Sequence, residues 1–208
     1  MSEICRQLHD LFNGLPRHRF PFDELAIPHN GIYILFEKGE HAHGVDRIVR
    51  IGTHTGENQL RSRLKQHFVN ENKDRSIFRK NIGRAMLQRA KDPFLQQWNW
   101  DLTTRKARER YLPLLDEEKQ RQVEKAVTEY IQQNFSFVVF GVDTKEKRLK
   151  WERKIISTVS WCKECRPSPN WLGMYSPKRK IRESGLWLIN GLNKERLSKQ
   201  ELEMLKRL

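Results

Sequence analysis

The chain has 208 residues, enough for one domain with a sizeable core, and carries a formal net charge of +14 with a pI near 9.9. No stretch approaches the roughly 20 apolar residues of a membrane helix, the N-terminus lacks a signal-peptide pattern, and three cysteines do not make a secreted disulfide framework. These features exclude a membrane protein or small secreted scaffold and lead us to expect a soluble chain of a reducing, cytoplasmic compartment.

The positive charge is clustered. Residues 45–91 hold 12 Lys/Arg against 4 Asp/Glu, and residues 163–184 hold 6 against 2. The first 44 residues are net acidic. Two basic segments facing a polyanion would produce this asymmetry; so would a solvated, soluble surface.

In chain order, residues 3–14 read as a short amphipathic helix ending at Gly14, followed by a Pro-rich extended connector to Pro28. Ile32, Ile34 and Phe36 alternate with Tyr33 and Leu35, which predicts a strand apolar on both faces. Val45–Ile51 is its antiparallel partner, across a polar link from Glu37 to Gly44. Helices are expected over about 58–68, with Leu60, Leu64 and Phe68 as apolar stripe, and over 76–89. Residues 94–133 read as largely helical, "FSFVVFGV" at 135–142 as a third strand, and 145–161 as a helix. An irregular segment, a short apolar run at 186–189 and a charged terminal helix complete an α+β pattern: a small, mostly antiparallel three-stranded sheet flanked by helices.

Three features carry possible chemistry. Arg63 and His67 stand at i and i+4 on one helical face, suited to a phosphate oxygen and a proton relay, or simply part of a basic surface with Arg61 and Lys65. Glu152 interrupts the apolar stripe of Leu149, Ile156 and Val159, which requires a metal or an ion pair such as one with Arg148. Tyr33 is either core packing or a phenol activated by nearby cations. "WCKEC" places Cys162 and Cys165 at CxxC spacing, but no second cysteine pair follows. His9, His18 and His29 are badly spaced for a zinc finger, and Cys5 reads as incidental.

"GIY" at 31–33, "RIG" at 50–52, Arg63, His67, Glu152 and then Asn170 resemble, in that order, the motifs of the GIY-YIG nucleases. The resemblance covers about residues 29–175, with 1–28 as an N-terminal helix and connector, about 92–133 as a helical insertion, and 176–208 as a C-terminal extension. It implies a metal-dependent endonuclease acting on DNA, duplex or branched, with RNA as a further possible partner, in the nucleoid. By resemblance, Tyr33 activates the attacking water, Arg63 contacts the scissile phosphate, His67 assists, and Asn170 orders the site. Glu152 holds one Mg²⁺ or Mn²⁺ ion per site. Arg50 replaces the second motif's tyrosine; it would bind phosphate and lower the Tyr33 pKa, with His54 as the alternative substitute. Arg75, Arg79, Lys80 and Arg84 are expected to hold the nucleic-acid backbone, with His54, Arg61 and Lys65 beside them. The alternatives are a nucleic-acid-binding protein of the same fold that has lost catalysis, and a structural RNA-associated protein. Oligomeric state is not legible.

Overall fold

A computed structural model describes residues 2–207. Four strands form one antiparallel sheet in the order β1-β4-β2-β3: β1 His18–Arg19, β2 Gly31–Ala42, β3 Val45–Gly52 and β4 Phe135–Gly141. The sheet has one strand more than the sequence suggested. The two-residue β1 lies inside the Pro-rich connector, where alternation cannot show so short a strand.

β2 is central and apolar on both sides because both of its faces are covered. Tyr33, Leu35 and Val49 pack under α2 (Leu60–Phe68), α3 (Ile77–Arg89) and α6 (Glu117–Asn134). Ile32, Ile34, Phe36, Ile48 and Ile51 pack on the other face, under α1 (Ser2–Asn13), α7 (Lys145–Ser160) and α9 (Lys199–Leu205). Helices therefore sandwich the sheet in three layers. The remaining α-helices among the described residues are short: α4 Leu95–Trp98, α5 Arg105–Tyr111 and α8 Arg179–Ser184.

β2 also runs further than its apolar alternation indicates, through the polar stretch 37–42. Glu37 and Glu40 are buried there. Glu37 accepts hydrogen bonds from the indoles of Trp171 (2.6 Å) and Trp187 (2.8 Å) and from the Tyr130 hydroxyl (2.6 Å). Glu40 pairs with the buried Arg47 at 2.5 Å. Polar letters read as a loop because the partners that satisfy them lie over 90 residues away in sequence for Glu37.

Three basic residues of α3, Arg79, Lys80 and Arg84, face inward, and Arg89 at its end is exposed. Arg79 reaches Glu124 of α6 (2.8 Å), the Thr128 hydroxyl (2.7 Å) and the carbonyl of His67 (3.1 Å). Lys80 binds Asp74 (2.9 Å) and the Trp100 carbonyl (3.0 Å), and Arg84 binds the side chains of Asn99 and Asn81. All three are buried. Instead of lining an outer surface, these cations fasten residues 98–102 and α6 to α3. Trp98 is buried against them, its indole donating to the Lys80 carbonyl at 3.0 Å.

Candidate active site

The glycines of both tripeptides follow from close packing. A Cβ on Gly31 would lie 2.3 Å from the carbonyl oxygen of Phe140 on β4, and one on Gly52 would lie 2.2 Å from the Tyr33 hydroxyl. Tyr33 pairs with Gly52 across β2 and β3, so its ring lies against the bare α-carbon of the neighbouring strand. The missing side chain at 52 makes room for the phenol.

That phenol is the centre of a polar chain in the interior. Its oxygen is 2.7 Å from His67 Nε2, and His67 Nδ1 is 2.7 Å from the hydroxyl of Ser76, the residue that caps α3. Arg50 Nε donates to the phenol oxygen at 3.4 Å, while its Nη1 donates to the carbonyl of Trp187 at 2.6 Å. Burial pushes the His67 pKa well below the ordinary histidine value, and the charges of Arg63, Arg50 and Arg79 lower it further. The ring is therefore neutral near pH 7. In the tautomer with Nδ1–H donating to Ser76, Nε2 accepts the Tyr33 proton; the opposite tautomer leaves that proton without an acceptor. Ser76 is the member of the chain that sequence reasoning missed. Its signal was an N-cap serine nine residues after a histidine, which by itself says only that a helix begins.

Glu152 is held from the other side. Its Oε1 accepts the backbone N–H of Thr53, the residue after Gly52, at 3.1 Å, and the Thr53 hydroxyl donates to the Gly31 carbonyl at 2.6 Å. Both glycine motifs are thereby tied to Glu152 on the largely basic helix α7. Burial raises the Glu152 pKa, and the charges of Arg50 and Arg63 with the Thr53 N–H pull in the opposite direction. The expected ion pair with Arg148 does not form. Arg148 donates instead to the carbonyls of Val142 (3.2 Å), Asp143 and Gly56 (3.2 Å).

Arg63 is half-buried; its Nη1 donates to Gln66 Oε1 (2.9 Å) and the Arg75 carbonyl (3.1 Å). It lines a surface cleft of about 300 Å³ with Thr53, His54, Thr55, Gln59, Ser62 and Gln66. The ring nitrogens of His54 are both engaged, Nδ1 with the Gly56 carbonyl (2.7 Å) and Nε2 with the Gly31 N–H (3.3 Å). Burial lowers its pKa. Arg61 donates to the Ile27 carbonyl at 2.8 Å, Lys65 pairs with Glu24 at 3.1 Å, and Arg75 is exposed. Asn170 is exposed and stands next to Trp171, whose indole points to Glu37 rather than toward Glu152. Another asparagine, also exposed, lies on a segment that touches α7. The segment 187–191 runs from Trp187, which bonds the backbone of Val49, to Gly191, which lies against Ile156 one turn beyond Glu152. Asn190 is on that segment.

The sequence matches the family model described as the GIY-YIG domain over residues 4–208, from α1 to α9. The chain belongs to the GIY-YIG domain family. Membership makes it a nuclease-type protein whose substrate class is nucleic acid. No curated protein and no solved structure matches it. Within this GIY-YIG chain, Tyr33, Arg50, His67 and Ser76 form one continuous set of contacts, with Glu152 and Arg63 close enough to Arg50 and His67 to act on their surroundings electrostatically. No helix among the described residues is long and apolar enough to cross a membrane.

Proposed function

We propose that this protein is a metal-dependent endonuclease that hydrolyses DNA phosphodiester bonds. The observation that carries the reading is the convergence of a phenol, two guanidinium groups and one half-buried carboxylate around the Gly52–Thr53 corner. Phosphodiester hydrolysis builds negative charge on the phosphoryl and leaving oxygens, and Arg63, on the wall of an open cleft, is suited to neutralise it.

A single Mg²⁺ or Mn²⁺ ion fits Glu152. One carboxylate oxygen is anchored by a backbone N–H, a lone acidic ligand suits an ion that keeps most of its waters, and no ion pair competes for the carboxylate among the described residues. Such an ion would supply charge stabilisation at the phosphate. Tyr33 is the general base of this proposal, its oxygen held between His67 Nε2 and the Arg50 guanidinium. Tyr33 has no exposed surface, so this role requires the groups around the phenol oxygen to part before water reaches it. Asn190 is a better candidate than Asn170 for the asparagine that orders the site, since its segment joins β3 to the helix bearing Glu152.

The test is incubation of the purified protein with supercoiled plasmid, with and without Mg²⁺ or Mn²⁺. Cleavage is expected only with the ion, and it should disappear in Glu152→Ala. Undiminished cutting by that variant sinks the assignment. The second reading, a nucleic-acid-binding protein without catalysis, draws on Arg50 in the tyrosine's place and on the complete burial of Tyr33. It predicts salt-sensitive DNA binding, no cleavage with any divalent ion, and unchanged affinity in Glu152→Ala.

A further inference from the structure

All three cysteines of the chain, 157 or more residues apart for Cys5 and the other two, come together at one place remote from the cleft. Cys5 on α1 has its sulfur 3.4 Å from that of Cys165. His43 Nε2, from the turn between β2 and β3, is 3.2 Å from Cys165 Sγ and 3.5 Å from Cys162 Sγ. Cys162 stands three residues before Cys165 in the loop that follows α7. The sequence reading of a CxxC without a second half therefore changes: the second half is Cys5 and His43, supplied by two other elements.

We propose that Cys5, His43, Cys162 and Cys165 form a structural zinc site of the Cys₃His type. The spacing of the donors carries the argument. Four donors at the usual Zn–S and Zn–N distances of about 2.3 and 2.0 Å lie about 3.8 Å apart between sulfurs and about 3.5 Å apart between sulfur and nitrogen. The observed separations of 3.4, 3.2 and 3.5 Å match that tetrahedron to within a few tenths of an ångström. A disulfide would need the sulfurs about 2.05 Å apart, so the thiols are grouped but not joined.

The surroundings of His43 are an independent indication. Its Nδ1 faces the carboxylate of Glu164 at 3.3 Å, and its side chain is only 1% exposed. A carboxylate on the far nitrogen fixes the tautomer whose Nε2 lone pair points at a metal, the usual support of a zinc-bound histidine. His43 also holds a left-handed backbone (φ 55°) in the tight turn it shares with Gly44 (φ 84°), a conformation that delivers its ring inward.

His9 is the competing fourth donor, since Cys5, His9, His43 and Cys165 offer atoms all within 4.8 Å of one another. Its nitrogens are already used, however. Nδ1 donates to the Cys5 carbonyl at 2.9 Å, and Nε2 accepts the Ile48 N–H at 3.2 Å. His9 is therefore assigned to orienting Cys5, and Cys162 to the metal. The ion would staple α1, the β2–β3 turn and the loop that follows α7, the helix carrying Glu152. This role does not depend on the nuclease reading.

The experiment is metal analysis of the full chain, purified reduced from zinc-supplemented cells and dialysed. One zinc per chain is expected, and cobalt replacement should show the intense visible bands of a tetrahedral, sulfur-ligated ion. Cys162→Ser and His43→Asn, the latter tolerant of the same backbone, should each lower zinc affinity by more than about 10-fold, while His9→Gln keeps the stoichiometry. Where a variant does not fold, mercurial titration of the wild type decides: zinc should leave as the three thiols react. Reduced, folded wild type without stoichiometric zinc, thiols that react without metal release, or a disulfide in place of metal would overturn the site. Loss of zinc in His9→Gln but not in Cys162→Ser would overturn this ligand set.

Discussion

The hydroxyl of Tyr33 on β2 and Nε2 of His67 on α2 are 2.7 Å apart, deep in the core and 34 residues apart in sequence. A phenol and an imidazole buried together must satisfy each other, because no solvent is available to either. Tyr33→Phe removes the donor and leaves His67 Nε2 unpaired, so it should cost about 1–3 kcal/mol in urea unfolding. On the proposed function it should also abolish plasmid cleavage. A Tyr33→Phe protein that is folded and still cuts DNA at the wild-type rate removes Tyr33 from the chemistry.

His67 sets a pH dependence of stability. Its pKa in the fold lies well below its ordinary value, so on acidification the unfolded chain takes up a proton that the buried ring refuses. Stability is therefore undiminished above the unfolded pKa of about 6.5 and falls as pH drops below it, by up to about 1.4 kcal/mol per pH unit for one site. Comparing urea midpoints of wild type and His67→Gln between about pH 7 and about pH 5 isolates this contribution. The variant should show the shallower decline.

Glu152→Gln should separate stability from function. Burial raises the carboxyl pKa in the fold, which means that the ionised form present at neutral pH is held at a cost. The amide keeps an oxygen for the Thr53 N–H and removes the charge. We expect unfolding stability equal to wild type or higher by about 1 kcal/mol, with metal-dependent cleavage lost. A marked loss of stability would mean that the carboxylate is a structural partner instead.

Arg79 and Arg75 should behave in opposite ways although both belong to the same basic run. Arg79→Met strands Glu124 in the interior and should destabilise the fold by about 3–5 kcal/mol in denaturant titration. Arg75→Ala, at an exposed position, should leave stability within about 0.5 kcal/mol. If Arg75 contacts DNA phosphate, the same change lowers the slope of log affinity against log salt by about 1. Denaturant titration reads the stabilities, and DNA binding over a salt series reads the slope.

Gly52→Ala places a methyl group against the Tyr33 ring and should destabilise by about 1–3 kcal/mol. In a Tyr33→Ala background the same substitution should cost far less, because the atoms it strikes are gone. Equal costs in the two backgrounds would show that Gly52 is required by its backbone rather than by the phenol.

What the sequence determined by itself is what local periodicity encodes. The three long strands, the helices bearing Arg63 and Glu152, and the order of the GIY and RIG tripeptides are all written in short windows, where apolar spacing and glycines report directly on burial and close approach. Charge was different. Arg79, Lys80 and Arg84 read as a surface because a lysine or arginine does not announce its partner, and Glu124, Asp74 and Asn99 lie elsewhere in the chain. The same holds for Ser76 behind His67, for Asn190 beside α7, and for Cys5 and His43 beside the CxxC. Each is a meeting of groups that only chain crossings bring about, and a hydrogen bond or a metal ligand acts over about 2–3 Å regardless of how many residues separate its ends. Secondary structure was legible because its causes are local; the wiring of the buried polar groups was decided by the tertiary fold.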